Sequence, residues 1–422
     1  MNFENSLAFA QKLDSSDSLQ SFREKYFIPQ VNGKEALYFT GNSLGLQPKS
    51  VLSALQTELE DWKNLGVEGH FHGKNPWFHY HKFLTNGAAS VVGAKPIEVV
   101  VMNQLTSNLH FLFVSFYRPT QQRFKIIMEA GAFPSDMYLV ESQVKFHGFN
   151  PNEAIVEVKP REGEFTLRHQ DILDTIEAHK DEVALVFFSG VQYYSGQVFN
   201  IKEITEKGHA CGAVVGFDLA HAAGNIELKL NEWNVDFAAW CSYKYLNSGP
   251  GGVAGAFVHE KHATDSSLPR FAGWWGHDEQ ERFKMLKGFV PEEGAAGWQL
   301  SNAPVFSMAV HREALHLFEA AGMSALTEKG KNLNAYLQFV IEEAMKHNAL
   351  LNFKIITPPY PERGCQISLL TDDNGKMIFD YLTQNGVIAD WRNPNVIRLA
   401  PVPMYNTYQD IYTFGALLMN YK

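Results

Sequence analysis

Between about residues 95 and 260 the chain alternates short apolar, β-branched runs with stretches of helical spacing. The runs Ile97–Val101, Lys125–Met128, Val183–Phe188, Ala213–Phe217, Val235–Trp240 and Val253–Val258 read as strands, and Arg168–His179 and Ile201–His209 as helices between them. Strands that are apolar without alternation are covered on both faces. With intervening helices they predict a mostly parallel sheet in an α/β fold. Farther on, Phe306–Ala321 and Ser324–His347 read as long helices, followed by short strands and helices from Asn352 to Lys422. This predicts a second, smaller α/β domain. The first 35 or so residues read as helical and are expected to pack beside it. No Pro/Gly/Ser-rich linker marks a boundary, and no repeat of about 20–50 residues points to a solenoid or propeller.

Composition narrows the class. The chain has 422 residues, 45% hydrophobic and 19% charged, which suits ordinary globular cores and excludes disorder. Lys and Arg number 36 against 46 Asp and Glu, a net charge of -10. That balance lacks the basic stripe of a nucleic-acid binder and the Lys/Arg block of a membrane-surface binder. Cys211, Cys241 and Cys365 form no CxxC pattern, so neither a zinc site nor a disulfide framework is expected. No run approaches the ~18 apolar residues of a membrane span. Met1–Leu13 carries Glu4 and no basic region, unlike a signal peptide. A soluble, cytoplasmic protein with reduced thiols is the expectation.

Three segments carry candidate chemistry. Lys244 follows the apolar run Val235–Trp240 and precedes the Gly-rich turn Asn247–Gly252. A lysine at the end of a buried strand is poorly solvated, which favours a neutral, nucleophilic amine able to hold an aldehyde as a Schiff base. A surface lysine in a Gly-rich loop would read the same. Asp218 ends the run Ala213–Phe217, at the carboxyl edge where parallel sheets bind ligands. There it either caps a helix or keeps a pyridinium nitrogen protonated. Met102–Asn108, with Leu105 and Thr106, follows a strand and opens a helix, a place where amides and a hydroxyl bind phosphate or simply cap the helix. Of His70, His72, His79 and His81, the last two lie two apart on an expected helix and do not share a face, so no metal site is expected.

Taken in order, Tyr38–Lys49 (YFTGNSLGLQPK), Ala132–Asp136 (AFPSD), Phe217–Ala222 (FDLAHA), Ser242–Asn247 (SYKYLN) and Arg398–Asn406 (RLAPVPMYN) resemble the kynureninase family. The likeness runs from about Tyr38 to Tyr412. Pro250, and the approach Arg270–Gly273 to Trp274, depart from the family pattern. The resemblance implies the pyridoxal-phosphate fold type I, with a large domain around a mostly parallel seven-stranded sheet and a smaller C-terminal α/β domain. Its expected limits are 1–45 for an N-terminal segment packing with the small domain, 46–305 for the large domain and 306–422 for the small one.

The resemblance further implies that Lys244 is the Schiff-base lysine, Asp218 the partner of the ring nitrogen, and Tyr243 a relaying acid/base. Phe133 would stack on the cofactor within the segment Phe133, Pro134, Ser135 and Asp136. Leu105 and Thr106 would hold its phosphate, with Tyr243 and Ser189 as added donors, and Asp136 and His221 would contact its ring. Trp274 and Asn302 would come from the second subunit of a homodimer with shared active sites. Arg398, on the apparent strand Val396–Ala400, would grip the substrate carboxylate, with His70, Ser43 and Ser301 on the substrate side. The implied reaction is hydrolysis of L-kynurenine or 3-hydroxy-L-kynurenine to anthranilate or 3-hydroxyanthranilate and L-alanine, in tryptophan catabolism or NAD biosynthesis. A cysteine desulfurase or aminotransferase of the same fold is the alternative. A desulfurase needs an exposed thiol, and Cys365 lies before an apolar run. A non-enzymatic binding protein is the remaining class.

Overall fold

The computed structural model describes residues 2–263, 265 and 267–422. Its central sheet has seven strands: β1 (Val99–Val101), β2 (Lys125–Glu129), β3 (Ile155–Val158), β4 (Val183–Ser189), β5 (Val214–Asp218), β6 (Phe237–Trp240) and β7 (Gly255–Val258). They lie in the order β1-β7-β6-β5-β4-β2-β3. The pairs β2–β3, β2–β4, β4–β5 and β5–β6 are parallel, and β7 runs antiparallel to both of its neighbours.

The apolar runs become strands because both faces are covered. Val186, Phe188, Val215 and Phe217 point into one core, which receives Ile172 and Ile176 from helix His169–Ala178 and Ile204 from helix Ile201–Ala210. Leu185, Phe187, Phe237 and Ala239 point into the other, against Leu109 and Phe113 of helix Leu105–Phe116 and Val140 of helix Pro134–Phe146. Each of these Val, Leu, Ile and Phe side chains contributes about 1.5–3 kcal/mol on burial. Two details differ from the sequence reading. Pro96–Glu98 is a turn whose Glu98 carboxylate accepts the Lys95 N–H, so β1 starts at Val99 and not at Ile97. Strand β3 is an edge strand carrying an exposed Glu157, so it lacks the continuous apolar signature of the inner strands.

A second sheet is antiparallel throughout: β8 (Phe353–Ile355), β9 (Ile367–Thr371), β10 (Asp390–Arg392) and β11 (Val396–Leu399), in the order β8-β9-β11-β10. Helices Met323–His347 and Tyr408–Met419 bury Leu337, Val340, Ile411 and Phe414 against Ile367, Leu369, Ile397 and Leu399. The N-terminal helix Leu7–Ser15 joins this core through Ala10. Asp14 caps helix Tyr408–Met419 by accepting the Tyr408 and Gln409 N–H groups at 2.7 and 3.0 Å. Lys329 pairs with Asp17 at 2.7 Å with both groups buried. Beyond Lys25 the N-terminal segment is not helical: Gln30–Val31 and Lys34–Glu35 pair as a short hairpin around Asn32 and Gly33, both of positive φ.

The parallel strands end together. Glu129, Ser189 and Asp218 close β2, β4 and β5, and Tyr243 and Lys244 follow β6.

Candidate active site

A cavity of about 280 Å³ opens above these strand ends. Leu105 and Thr106 border one side of it. They begin a twelve-residue helix whose N-cap, Gln104, makes no side-chain cap, so the first amides stay available to an anion. The preceding turn needs a left-handed residue, supplied by Asn103 at φ 47°, and Asn108 braces it by donating to the Met102 carbonyl at 2.9 Å.

Phe133, Pro134, Ser135 and Asp136 start a second helix facing the cavity, with Pro134 at its first turn. Phe133 is 42% exposed and lines the cavity. It meets Tyr193 edge-on at 5.1 Å, and Lys244 Nζ stands 5.8 Å from its centroid. Lys244 itself is half-buried. The turn behind it is tightly made. Asn247 takes φ 56° and Gly249 φ 81°, and Ser242 Oγ meets Ser248 Oγ at 2.5 Å. Gly45 docks on this turn by donating its N–H to the Tyr243 carbonyl at 2.8 Å. Pro250 is exposed at the rim of the turn.

Three carboxylates crowd the floor. Asp218 is buried and accepts the Ala220 N–H at 2.6 Å. Burial, then the charge of Asp218, pushes the neighbouring Asp136 well above the usual carboxylate range. One Asp136 oxygen has no partner. Burial pushes Glu129 up to about 7, and both its oxygens rest on Ser189. Burial holds the Tyr243 hydroxyl protonated and drives His221 well below its ordinary value, the charge of Lys244 adding to the latter. His221 is therefore neutral.

Arg398 lies beside this floor and not in it. It is wholly buried on β11. One Nη donates to the Tyr193 carbonyl at 2.6 Å, the other to Ser43 Oγ at 3.3 Å and to Asp390, and Nε has no partner. Tyr193 lines the cavity, so its backbone joins the two places.

Four of the anticipated residues stand elsewhere. His70 is half-buried on the short helix Gly69–His72, edge-on to Trp77 at 5.3 Å. Trp274 is 43% exposed, with its Nε1 donating to the Arg282 carbonyl at 3.1 Å. Ser301 and Asn302 are exposed in the segment before helix Val305–Ala321. Three residues of the site had not been singled out. Tyr193 and Asp390 leave no pattern along the chain. Glu129 had the same signal as Asp218, an acid closing an apolar strand. Among the described residues, no group of three His, Cys, Asp or Glu side chains is arranged to hold a metal ion. His79 instead faces Glu279 at 3.1 Å, and it ends a short turn whereas His81 caps the next helix.

An amine beside an exposed aromatic face, a buried carboxylate pair and a free helix N-terminus, all at the ends of parallel strands, define the class of pyridoxal-phosphate enzymes of fold type I. The comparisons agree. Residues 37–354 match the class-V aminotransferase family and residues 326–418 the kynureninase C-terminal domain. The apo cysteine desulfurase of Thermococcus onnurineus NA1 superposes with a TM-score of 0.77 at 17% identity, over 95% of this chain and 97% of that one. A C-DES mutant with glycine covalently linked to its PLP cofactor gives 0.75 at 15%, over 92% and 97%. At such identities these structures share the fold. Sequence relatives are nearer. The chain is 56% identical to the kynureninase of Flavobacterium psychrophilum over 419 residues, covering 99% of this chain and 98% of that protein. It is 53% identical to that of Myxococcus xanthus over 415 residues, covering 98% and 96%. The chain belongs to the kynureninase family.

Proposed function

We infer that this chain uses pyridoxal phosphate to cleave the Cβ–Cγ bond of L-kynurenine, or its 3-hydroxy form, with water, giving anthranilate (or 3-hydroxyanthranilate) and L-alanine. The observation that carries the reading is the buried Arg398 guanidinium held next to a floor that presents Lys244 and Asp218, in a chain of this family. An α-amino acid brings a carboxylate for the first and an amine for the second.

Bound here, the cofactor supplies an electron sink for charge developing on the substrate carbons. With the cofactor bound, Lys244 Nζ would hold its aldehyde and would be the base placed to take the substrate Cα proton. Asp218, with Asp136 beside it, would keep a proton at the ring nitrogen. Phe133 gives its open face to the ring, and the amides of Leu105 and Thr106, with the Thr106 hydroxyl, hold the phosphate. Pro134 and Ser135 set the helix start that aims Phe133 and Asp136. Tyr243, kept protonated by burial, is suited to donate a proton as the bond breaks. His221, driven well below its ordinary value, would face the ring without adding charge. Arg398 grips the substrate carboxylate in parallel charge-assisted hydrogen bonds, with Ser43 steadying it.

The reading extends to a homodimer in which Trp274 and Asn302 serve the site of the partner, with His70 and Ser301 on the substrate side. Trp274 and Asn302 lie at the surface, Trp274 edge-on to exposed Phe283 at 5.4 Å, which supports this. It also extends to a division into 1–45, 46–305 and 306–422, the last closing over the substrate, and to a cytoplasmic location. No helix among the described residues is long and apolar enough to cross a membrane. A desulfurase is disfavoured because all three thiols are buried and burial pushes Cys365 up to about 12.

The test is to add L-kynurenine to the pyridoxal-phosphate-loaded protein and follow anthranilate fluorescence together with alanine. Stoichiometric release of both supports the reading. A yellow protein that forms neither overturns it in favour of another reaction on the same cofactor.

A further inference from the structure

Glu129 closes β2 at the floor of the cavity, 2% exposed, and the reaction above gives it no role. Its two oxygens share one partner residue. Oε2 accepts the Ser189 backbone N–H at 3.0 Å, and Oε1 accepts the Ser189 hydroxyl at 2.5 Å. A carboxylate buried against a single neutral residue, in a floor that already holds Asp136 and Asp218, costs stability. An apolar side chain would fill the same space without that cost, which points to a task at the site.

The task follows from counting hydrogens. A serine hydroxyl has one to give. Given to the ionised Glu129 carboxylate, it leaves Ser189 Oγ with only lone pairs for the cavity, so in that state Ser189 accepts and does not donate. The phosphate role expected of Ser189 as a donor therefore does not fit this geometry. Position agrees. Ser189 stands opposite Asp218 on the adjoining strand. Four strand steps, roughly 19 Å, separate β4 from β1, which leads into Leu105 and Thr106. In pyridoxal phosphate the phosphate arm and the ring hydroxyl flank the aldehyde on opposite sides. With the aldehyde at Lys244, the ring nitrogen at Asp218 and the phosphate at Leu105–Thr106, the hydroxyl falls on the Ser189 side.

We propose that Glu129 is a positioning residue that fixes Ser189 as a hydrogen-bond acceptor, so that the site takes the cofactor ring hydroxyl in its protonated form. The proposal rests on pyridoxal phosphate occupying this cavity. Lys244, Asp136 and Asp218 are the other charged groups facing it.

The substitution Glu129→Gln keeps the shape and inverts the polarity. Its carboxamide oxygen still accepts the Ser189 N–H, its NH₂ donates to Oγ, and the serine hydrogen turns into the cavity. That favours an ionised ring oxygen. The experiment records visible spectra and cofactor dissociation constants of the loaded wild type, Glu129→Gln, Ser189→Ala and the double variant at about pH 8.5, where the Glu129 carboxyl is ionised. Glu129→Gln is expected to move intensity at least about twofold toward the longer-wavelength band of an ionised ring oxygen. The double variant is expected to match Ser189→Ala alone, because Glu129 acts through Ser189. A Glu129→Gln spectrum that superposes on the wild type overturns the proposal. So does an equal Glu129→Gln effect in the Ser189→Ala background. A Ser189→Ala spectrum identical to the wild type overturns it whether or not the Glu129 variant folds. A wild type that takes up no colour overturns the cofactor reading itself, which is a different failure.

Discussion

Asp390 stands directly opposite Arg398 on neighbouring strands and holds its guanidinium through the same carboxylate oxygen that accepts the Ser43 hydroxyl at 2.6 Å. Arg392 shares that oxygen at 3.2 Å. Two guanidiniums thus divide one carboxylate, and each keeps a buried Nε without a partner. The cluster carries an excess positive charge where a substrate carboxylate is to dock. Arg398→Ala is expected to raise KM for kynurenine by about 2 kcal/mol or more, roughly thirtyfold, with a smaller change in kcat. Steady-state kinetics check it, and an unchanged KM removes Arg398 from the site.

Lys244→Ala is expected to abolish turnover and the visible absorbance of the loaded protein while leaving the melting temperature of the apoprotein nearly unchanged, since the side chain is half-buried and makes no ion pair among the described residues. A spectrum recorded after pyridoxal-phosphate addition and a thermal melt decide this. Persistence of the band would mean that another lysine holds the cofactor.

Gly45 touches the turn that carries Lys244. A Cβ there would lie 2.4 Å from the Lys244 carbonyl oxygen and 2.2 Å from Asn247 Oδ1. Gly45→Ala must push the turn aside, at about 1–3 kcal/mol. The expected result is cofactor affinity weakened roughly tenfold or more, read by fluorescence titration, in a protein whose far-UV circular dichroism is unchanged.

Far from the cavity, Asp236 accepts hydrogen bonds from His209 and His262 at 2.7 and 2.8 Å and from the Val215 N–H at 2.7 Å. Burial alone would raise its carboxyl, but these partners outweigh burial and hold it far below the usual range. A depressed folded-state value stabilises the protein above the unfolded value, near 4, and that stability is lost as pH falls below it. Asp236→Asn is expected to cost about 3 kcal/mol at neutral pH, with the gap closing below about pH 4. Chemical denaturation of both proteins across pH measures it, and a gap that does not change with pH would remove the carboxylate as its source.

The inner strands and their order of appearance were legible because burial on both faces writes one unbroken signature. Asp218 and Lys244 were legible because each ends such a run. Strand β3 was hidden by Glu157, which the open edge tolerates. Asp390 was hidden because its partner Arg398 is set by strand pairing, which leaves no spacing rule behind. Glu129 could have been found, since it ends Lys125–Met128 as Asp218 ends its own run. His70, Trp274, Ser301 and Asn302 came from family likeness alone, and their distance from this chain's cavity is a matter of folding in three dimensions that no local pattern encodes.

The cap that Asp14 places on helix Tyr408–Met419 spans 394 positions. During synthesis helix Leu7–Ser15 emerges long before the helix it docks on, so it must wait, with Ala10 and its other apolar residues uncovered, until translation reaches the far end. The small sheet is thus sealed by two segments that lie 394 positions apart. A folding yield that depends on chaperone capacity follows from this, and a purification tag is better separated from Leu7 by a flexible spacer than fused directly to it.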